Sequence, residues 1–166
     1  MTEKDIEKLI FKYKNKGILP DSNILLVYFI GSYNDNLISS FKRTKTFTIE
    51  DFKTLSKIIS FFGKVYTTPN ILTEVGNLSN QLPEKTKIKY YDEFKNYVSL
   101  LNENYFESKV ICNTSHFNKY GLTDSSIIEL SQKKYLVLTD DFRLSNYLNT
   151  VGIDVINFNH IRMINW

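Results

Sequence analysis

The sequence predicts an α/β protein built on a parallel sheet, and three observations carry that prediction. Short apolar runs of strand length alternate with longer stretches whose apolar residues recur at helical spacing. Glycine, proline and capping residues mark the boundaries between them. Strand candidates are separated by helix candidates, the order that yields parallel strands joined by right-handed crossovers. With 166 residues and 42% of them hydrophobic, the chain is long enough for one well-filled core and short for two. No linker, repeat or low-complexity tract divides the sequence. Residues 1–166 are therefore read as one domain, with 1–17 an additional N-terminal helix, 18–158 the core and 159–166 a C-terminal tail.

Taken in order, Ile6, Leu9, Ile10 and Tyr13 form the apolar stripe of a first helix, and Lys4, Lys8, Lys12 and Lys16 lie elsewhere on its surface. Gly17 ends it. Ile18, Leu19 and Pro20 read as a short buried strand, followed by a helix from about Asn23 capped by Asp21 or Ser22. Thr48 precedes the acidic first-turn residues Glu50 and Asp51, and Phe52, Leu55, Ile58, Ile59 and Phe62 continue a helical stripe that Gly63 stops. Lys64 to Thr67 is the next strand. Thr68 and Pro69 open a helix that contains Glu74 about one and a half turns in.

A long outer helix is expected from Pro83 to about Glu103, then an irregular stretch from Asn104 to Tyr120. Thr123 and Asp124 are expected to cap a helix through Lys133. Tyr135 to Thr139 is read as a strand, Phe142 to Thr150 as a helix and Ile153 to Phe158 as the last strand.

Composition removes several functions. The net charge of +3 is too small to announce a nucleic-acid partner and too positive to exclude one. Cys112 is the only cysteine, so neither an intrachain disulfide nor a cysteine zinc cage can form. The N-terminus is charged from its first residues, and the longest apolar run, Ile24 to Ile30, is far too short to span a bilayer. A cytoplasmic protein with no membrane partner is expected. His116 and His160 lack zinc-motif spacing, no glycine-rich phosphate loop is present, and no serine elbow supports covalent catalysis.

Four acids stand out by position. Asp21, Glu74, Asp124 and Asp141 each sit beside the end of an expected strand or the start of a helix. Each alone has a plain structural use, since the aspartates can cap helices and Glu74 can be a solvated helix residue. Together they fall at the carboxyl edge of a parallel sheet, where open α/β sheets bind ligands. Carboxylates gathered there repel one another and lose hydration, and a hard divalent cation is the usual reason for collecting them.

The order and local sequence of these acids resemble the PIN-domain family of metal-dependent nucleases. The carriers are Asp21-Ser22-Asn23 before an apolar helix, Pro69 through Glu74, Gly121 through Asp124 with its apolar helix, Val137 through Asp141, and Gly152 through Phe158. The resemblance covers about Ile18 to Phe158. It implies a three-layer α/β/α fold with a central parallel sheet, and Asp21, Glu74, Asp124 and Asp141 around one or two Mg²⁺ or Mn²⁺ ions. Asp21 and Asp124 are expected as direct ligands, Asp141 directly or through water, and Glu74 as the group that orients or deprotonates the attacking water. Ser22 and Thr139 are the implied polar supports. The family pattern of Thr or Ser, any residue, then an acid selects Asp141, with Asp140 as alternate. The chain departs from compact toxin members in its extra first helix and its longer segment between Asp21 and Glu74.

The activity so implied is endoribonuclease cleavage of RNA, preferably single-stranded or looped, because an unpaired strand can bend its phosphate into an acidic pocket. The resemblance also implies a toxin neutralised by an antitoxin protein. Lys42, Arg43 and Lys45 are weak candidates for nucleic-acid contact, although a solvated surface is the more ordinary use of such a cluster. Tyr90, Tyr91, Tyr105 and Phe106 could stack bases, and exposed aromatics could build a homodimer contact. The rival expectation is a catalytically inactive PIN-like module that binds RNA or a protein partner without cutting.

Overall fold

A computed structural model describes residues 1–132 and 134–164. Its three-stranded sheet is parallel and open, with β1 (Ile18–Pro20) and β5 (Val155–Asn157) flanking β4 (Leu136–Thr139). All ten strand residues are buried, and their near-continuous apolar character follows from being covered on both faces. A second parallel pair, β2 (Tyr66–Thr67) and β3 (Asn102–Glu103), is joined to β1 by a single bridge between Ile18 and Val65.

The register fixes which residues leave the sheet together. Pro20 pairs with Leu138 and Thr139 pairs with Asn157. Proline is tolerated in β1 because it closes the strand. Asp21, Asp140 and Phe158 consequently follow at one edge, the carboxyl edge of the sheet.

Helices cover this frame in the order of the sequence. In α1 (Glu3–Tyr13), Thr2 and Asp5 form a reciprocal capping box and Ile6, Ile10 and Tyr13 face the core. Gly17, at φ 119°, turns the chain into β1. α2 (Ser22–Asn34) buries Ile24, Leu25, Leu26, Val27, Phe29 and Ile30, so it is apolar nearly all round and lies in the interior. A short 3₁₀ turn, Asp35–Leu37, follows it. α3 (Ile49–Ser60), capped by Thr48 and Asp51, approaches α2 at Gly31, where a Cβ atom would lie 2.2 Å from the Phe52 ring.

Thr68 caps α4 (Pro69–Ser79), and Pro69 occupies its first turn. The outer helix α5 (Glu84–Ser99) stops earlier than the apolar spacing predicts, because Asn102 and Glu103 pair with β2 as β3. The stretch expected to be irregular holds α6 (Ser108–Cys112) and the first turn of α7 (Phe117–Ser131). α7 breaks at Gly121, whose φ of 71° only glycine adopts readily. The helix expected to reach Lys133 is followed to Ser131, and Lys133 itself lies outside the described residues.

α8 (Phe142–Thr150) matches its expected span. The last strand is shorter than its apolar run, since Phe158 already begins α9 (Phe158–Ile164). The segment expected to be a tail is thus helical as far as Ile164. Arg162 ties α9 to the start of α3 by donating to Asp51 at 3.1 Å and to the Thr46 carbonyl at 2.8 Å. Among the described residues no helix is long and apolar enough to cross a membrane.

Candidate active site

Strand pairing alone brings Asp21 beside Thr139. The Asp21 amide donates to the Leu138 carbonyl at 2.9 Å, extending the ladder by one residue. Asp21 then caps α2, its Oδ1 accepting from the Ile24 amide at 2.8 Å. Its other oxygen accepts from the Thr139 hydroxyl. The same hydroxyl accepts from the Asp141 amide at 2.9 Å, so Thr139 links the two loops that leave β1 and β4. Asp141 caps α8 through the amides of Arg143 and Leu144.

Asp140 is held between these loops. Asn23 donates to its carboxylate at 3.2 Å, and Asn159 donates to its backbone carbonyl at 2.7 Å. Asn159 is positioned in turn by Asn157 at the end of β5, whose side-chain oxygen accepts the Asn159 amide at 3.0 Å. The polar residues at three adjacent strand ends are therefore bonded into one edge.

Two more acids come from helices. Glu74 lies on α4, and Ser22 donates to its Oε2 at 2.8 Å across the gap from α2. The Thr68 and Ser126 hydroxyls, 3.0 Å apart and buried, lock the start of α4 to α7. Asp124 is not the helix cap that the sequence predicts: the helical turns begin at Phe117, and Asp124 sits just past the break at Gly121. The glycine redirects the helix immediately before this residue.

Electrostatic coupling joins all five acids. Burial, followed by the charges of Asp140 and then Asp124, pushes the Asp21 carboxyl up to about 8, against the lowering effect of its bonds to Thr139 and Ile24. Burial, Asp141 and Glu74 push Asp124 up to about 6, while Arg143 acts the other way. Burial and Asp141 also raise Asp140, offset in part by the Asn23 bond and by Arg162. Neither arginine makes an ion pair with these acids among the described residues, and Arg162 is committed to Asp51. The pocket thus concentrates negative charge in a place where ionisation is unfavourable.

Such a donor set, all carboxylate oxygens, suits a hard divalent cation. As the side chains stand, however, no group of three or more His, Cys, Asp or Glu among the described residues is arranged to hold a metal ion. Both oxygens of Asp21, Oδ1 of Asp141 and Oε2 of Glu74 accept hydrogen bonds from protein donors. No protein-family model matches the chain, and no curated protein matches it significantly. The reading of this site rests on its own residues.

Of the residues expected from the sequence, Asp21, Glu74, Asp124, Asp140 and Asp141 are linked through their charges, Ser22 bonds Glu74, and Thr139 bonds Asp21 and the Asp141 amide. Sequence reasoning missed Asn157 and Asn159, although a buried asparagine closing an apolar strand is a recognisable signal. Lys42, Arg43 and Lys45 are exposed, and Arg43 donates to Gln81 at 2.8 Å, about two turns along the chain beyond Glu74. Tyr90 is fully buried and bonded to Ser79, so it packs and cannot stack a base, while Tyr91 donates to the Gly76 carbonyl. Tyr105 is exposed.

Proposed function

We propose that this chain is a Mg²⁺- or Mn²⁺-dependent endoribonuclease of the PIN type, hydrolysing RNA phosphodiester bonds at the pocket of Asp21, Glu74, Asp124, Asp140 and Asp141. The observation that carries it is the buried carboxylate of Asp21, raised to about 8 beside Asp140 and Asp124 with no ion-pair partner among the described residues. A buried anion in that setting is costly, and a divalent cation offsets the cost.

Asp21, Asp124 and Asp141 would hold the ion, with Asp140 close enough to substitute. A bound ion would lower the pKa of a coordinated water and stabilise the departing oxygen. Glu74 is oriented by Ser22 through Oε2 and can take the proton of the attacking water on its other oxygen. Thr139 keeps Asp21 and the Asp141 loop in fixed relation. The resemblance extends the proposal to a toxin restrained by an antitoxin.

Cleavage of a labelled single-stranded RNA, with Mn²⁺ or with EDTA, tests the proposal. Cleavage that requires the metal and falls about a hundredfold or more in Asp21→Asn and Asp124→Asn is expected. Cleavage that persists in EDTA, or in folded Asp21→Asn at the native rate, would overturn it.

A second reading is favoured by one observation, the lack of a converged set of three ligating side chains. On that reading the chain is an inactive module that binds RNA or a protein partner. Calorimetric titration with Mn²⁺ separates the two, because a nuclease binds the ion through Asp21 and Asp124 and an inert scaffold does not.

A further inference from the structure

A cavity of about 630 Å³ is lined by Lys119, Tyr120, Arg143, Asn146, Tyr147 and Thr150. It is formed where the first turn of α7 meets α8. Arg143, which lines it, links it to the acids: its amide donates to Asp141 at 2.6 Å and its charge is felt by Asp124.

Of its two cations, Arg143 is held by a hydrogen bond and Lys119 is an exposed lysine near the Tyr120 ring. The Arg143 guanidinium donates to the Lys119 carbonyl and lies 5.1 Å from the centre of the Tyr120 ring. The Lys119 ammonium sits 5.2 Å from the same centre, and Tyr120 packs on Tyr147 with ring centres 4.9 Å apart. Among the described residues neither cation forms an ion pair with a carboxylate. An arginine and a lysine about one aromatic ring, neither of them ion-paired among the described residues, form a basic site that suits an anion. Asn146 and Thr150 add hydrogen-bonding groups along the same wall.

Resting on the nuclease reading above, we infer that this cleft binds the backbone of the substrate strand, with Lys119 and Arg143 gripping the phosphodiester next to the one that enters the acidic pocket. The arrangement solves a problem that the acids create. A polyanion is repelled by a pocket of carboxylates, and adjacent cations bring the strand in and set its register. Lys42, Arg43 and Lys45 are the competing basic patch, with Arg43 donating to Gln81.

Binding of a fluorescently labelled single-stranded RNA, measured in EDTA between about 50 and 200 mM salt, tests the cleft without any cleavage. Lys119→Gln and Arg143→Gln should each weaken binding and lower the salt slope by about 0.7, and the double variant by about twice that. Lys119→Gln keeps the carbonyl that Arg143 uses, so it reports on charge even if Arg143→Gln loosens the α7–α8 contact. Lys89→Gln, on the exposed face of α5, is the control. An unchanged slope in the double variant, a loss seen instead in Lys42→Gln/Lys45→Gln, or equal displacement of RNA by polyglutamate would overturn the inference. Cleft-dependent binding without metal-dependent cleavage would sink the nuclease reading and leave the cleft standing. Metal-dependent cleavage with cleft-independent binding would do the reverse.

Discussion

The hydroxyl of Thr139 donates to the carboxylate of Asp21, and the two residues lie 118 positions apart in the chain. The same oxygen receives the Asp141 amide, so one buried side chain holds both the anion that caps α2 and the loop that leads into α8.

Replacing Thr139 with valine keeps the shape and removes both bonds. The Asp141 amide and one Asp21 oxygen lose their partner, so Thr139→Val should cost about 1–3 kcal/mol in urea unfolding, and Thr139→Ser should recover most of it.

The metal-free protein should lose stability as pH rises. Below about pH 4 the Asp21 carboxyl is protonated whether the chain is folded or not; between about 4 and about 8 only the folded chain keeps the proton. The unfolded state then binds fewer protons, and stability falls across that window before levelling off. Thermal unfolding in EDTA should show this slope. Asp21→Asn, whose amide oxygen can still cap α2, should make the slope shallower and leave the smaller contributions of Asp124 and Asp140.

On the nuclease proposal, divalent binding should respond in the opposite sense. Asp21 and Asp124 hold protons up to about 8 and about 6, so an ion must displace them. Calorimetry should find Mn²⁺ affinity rising from pH 6 to pH 8, with proton uptake by the buffer. Asp124→Asn should weaken binding at every pH.

Gly31 should be intolerant of even one methyl group. A Cβ there would meet the Phe52 ring at 2.2 Å, where α2 and α3 touch. Gly31→Ala should destabilise the fold by about 1–3 kcal/mol through overpacking, and trimming Phe52 to leucine in the same chain should restore part of the loss.

Local chemistry made much of this architecture readable in advance. Thr48 with Asp51, and Thr68 with Pro69, are strong helix starts, and Ile18 to Pro20 and Leu136 to Thr139 are apolar runs too short for helices. The misreadings arose where distant partners decide. Nothing local to Asn102 and Glu103 shows that β2 will recruit them, and Phe158 continues an apolar run although it starts a helix. Asp124 looked like a cap because Thr123 precedes it, whereas the chain is already helical on the other side of Gly121. Lys119 and Arg143 are ordinary surface residues in the sequence. Only the packing of α7 on α8 sets them on one ring.

The pairing of Pro20 with Leu138 also makes the length of β1 a genetic constraint. Shifting that strand by one position would point the carboxylate of Asp21 to the opposite face, although the apolar run would still be buried. On the nuclease proposal, an in-frame loss of a single codon there should abolish metal-dependent RNA cleavage even where the shortened protein still accumulates.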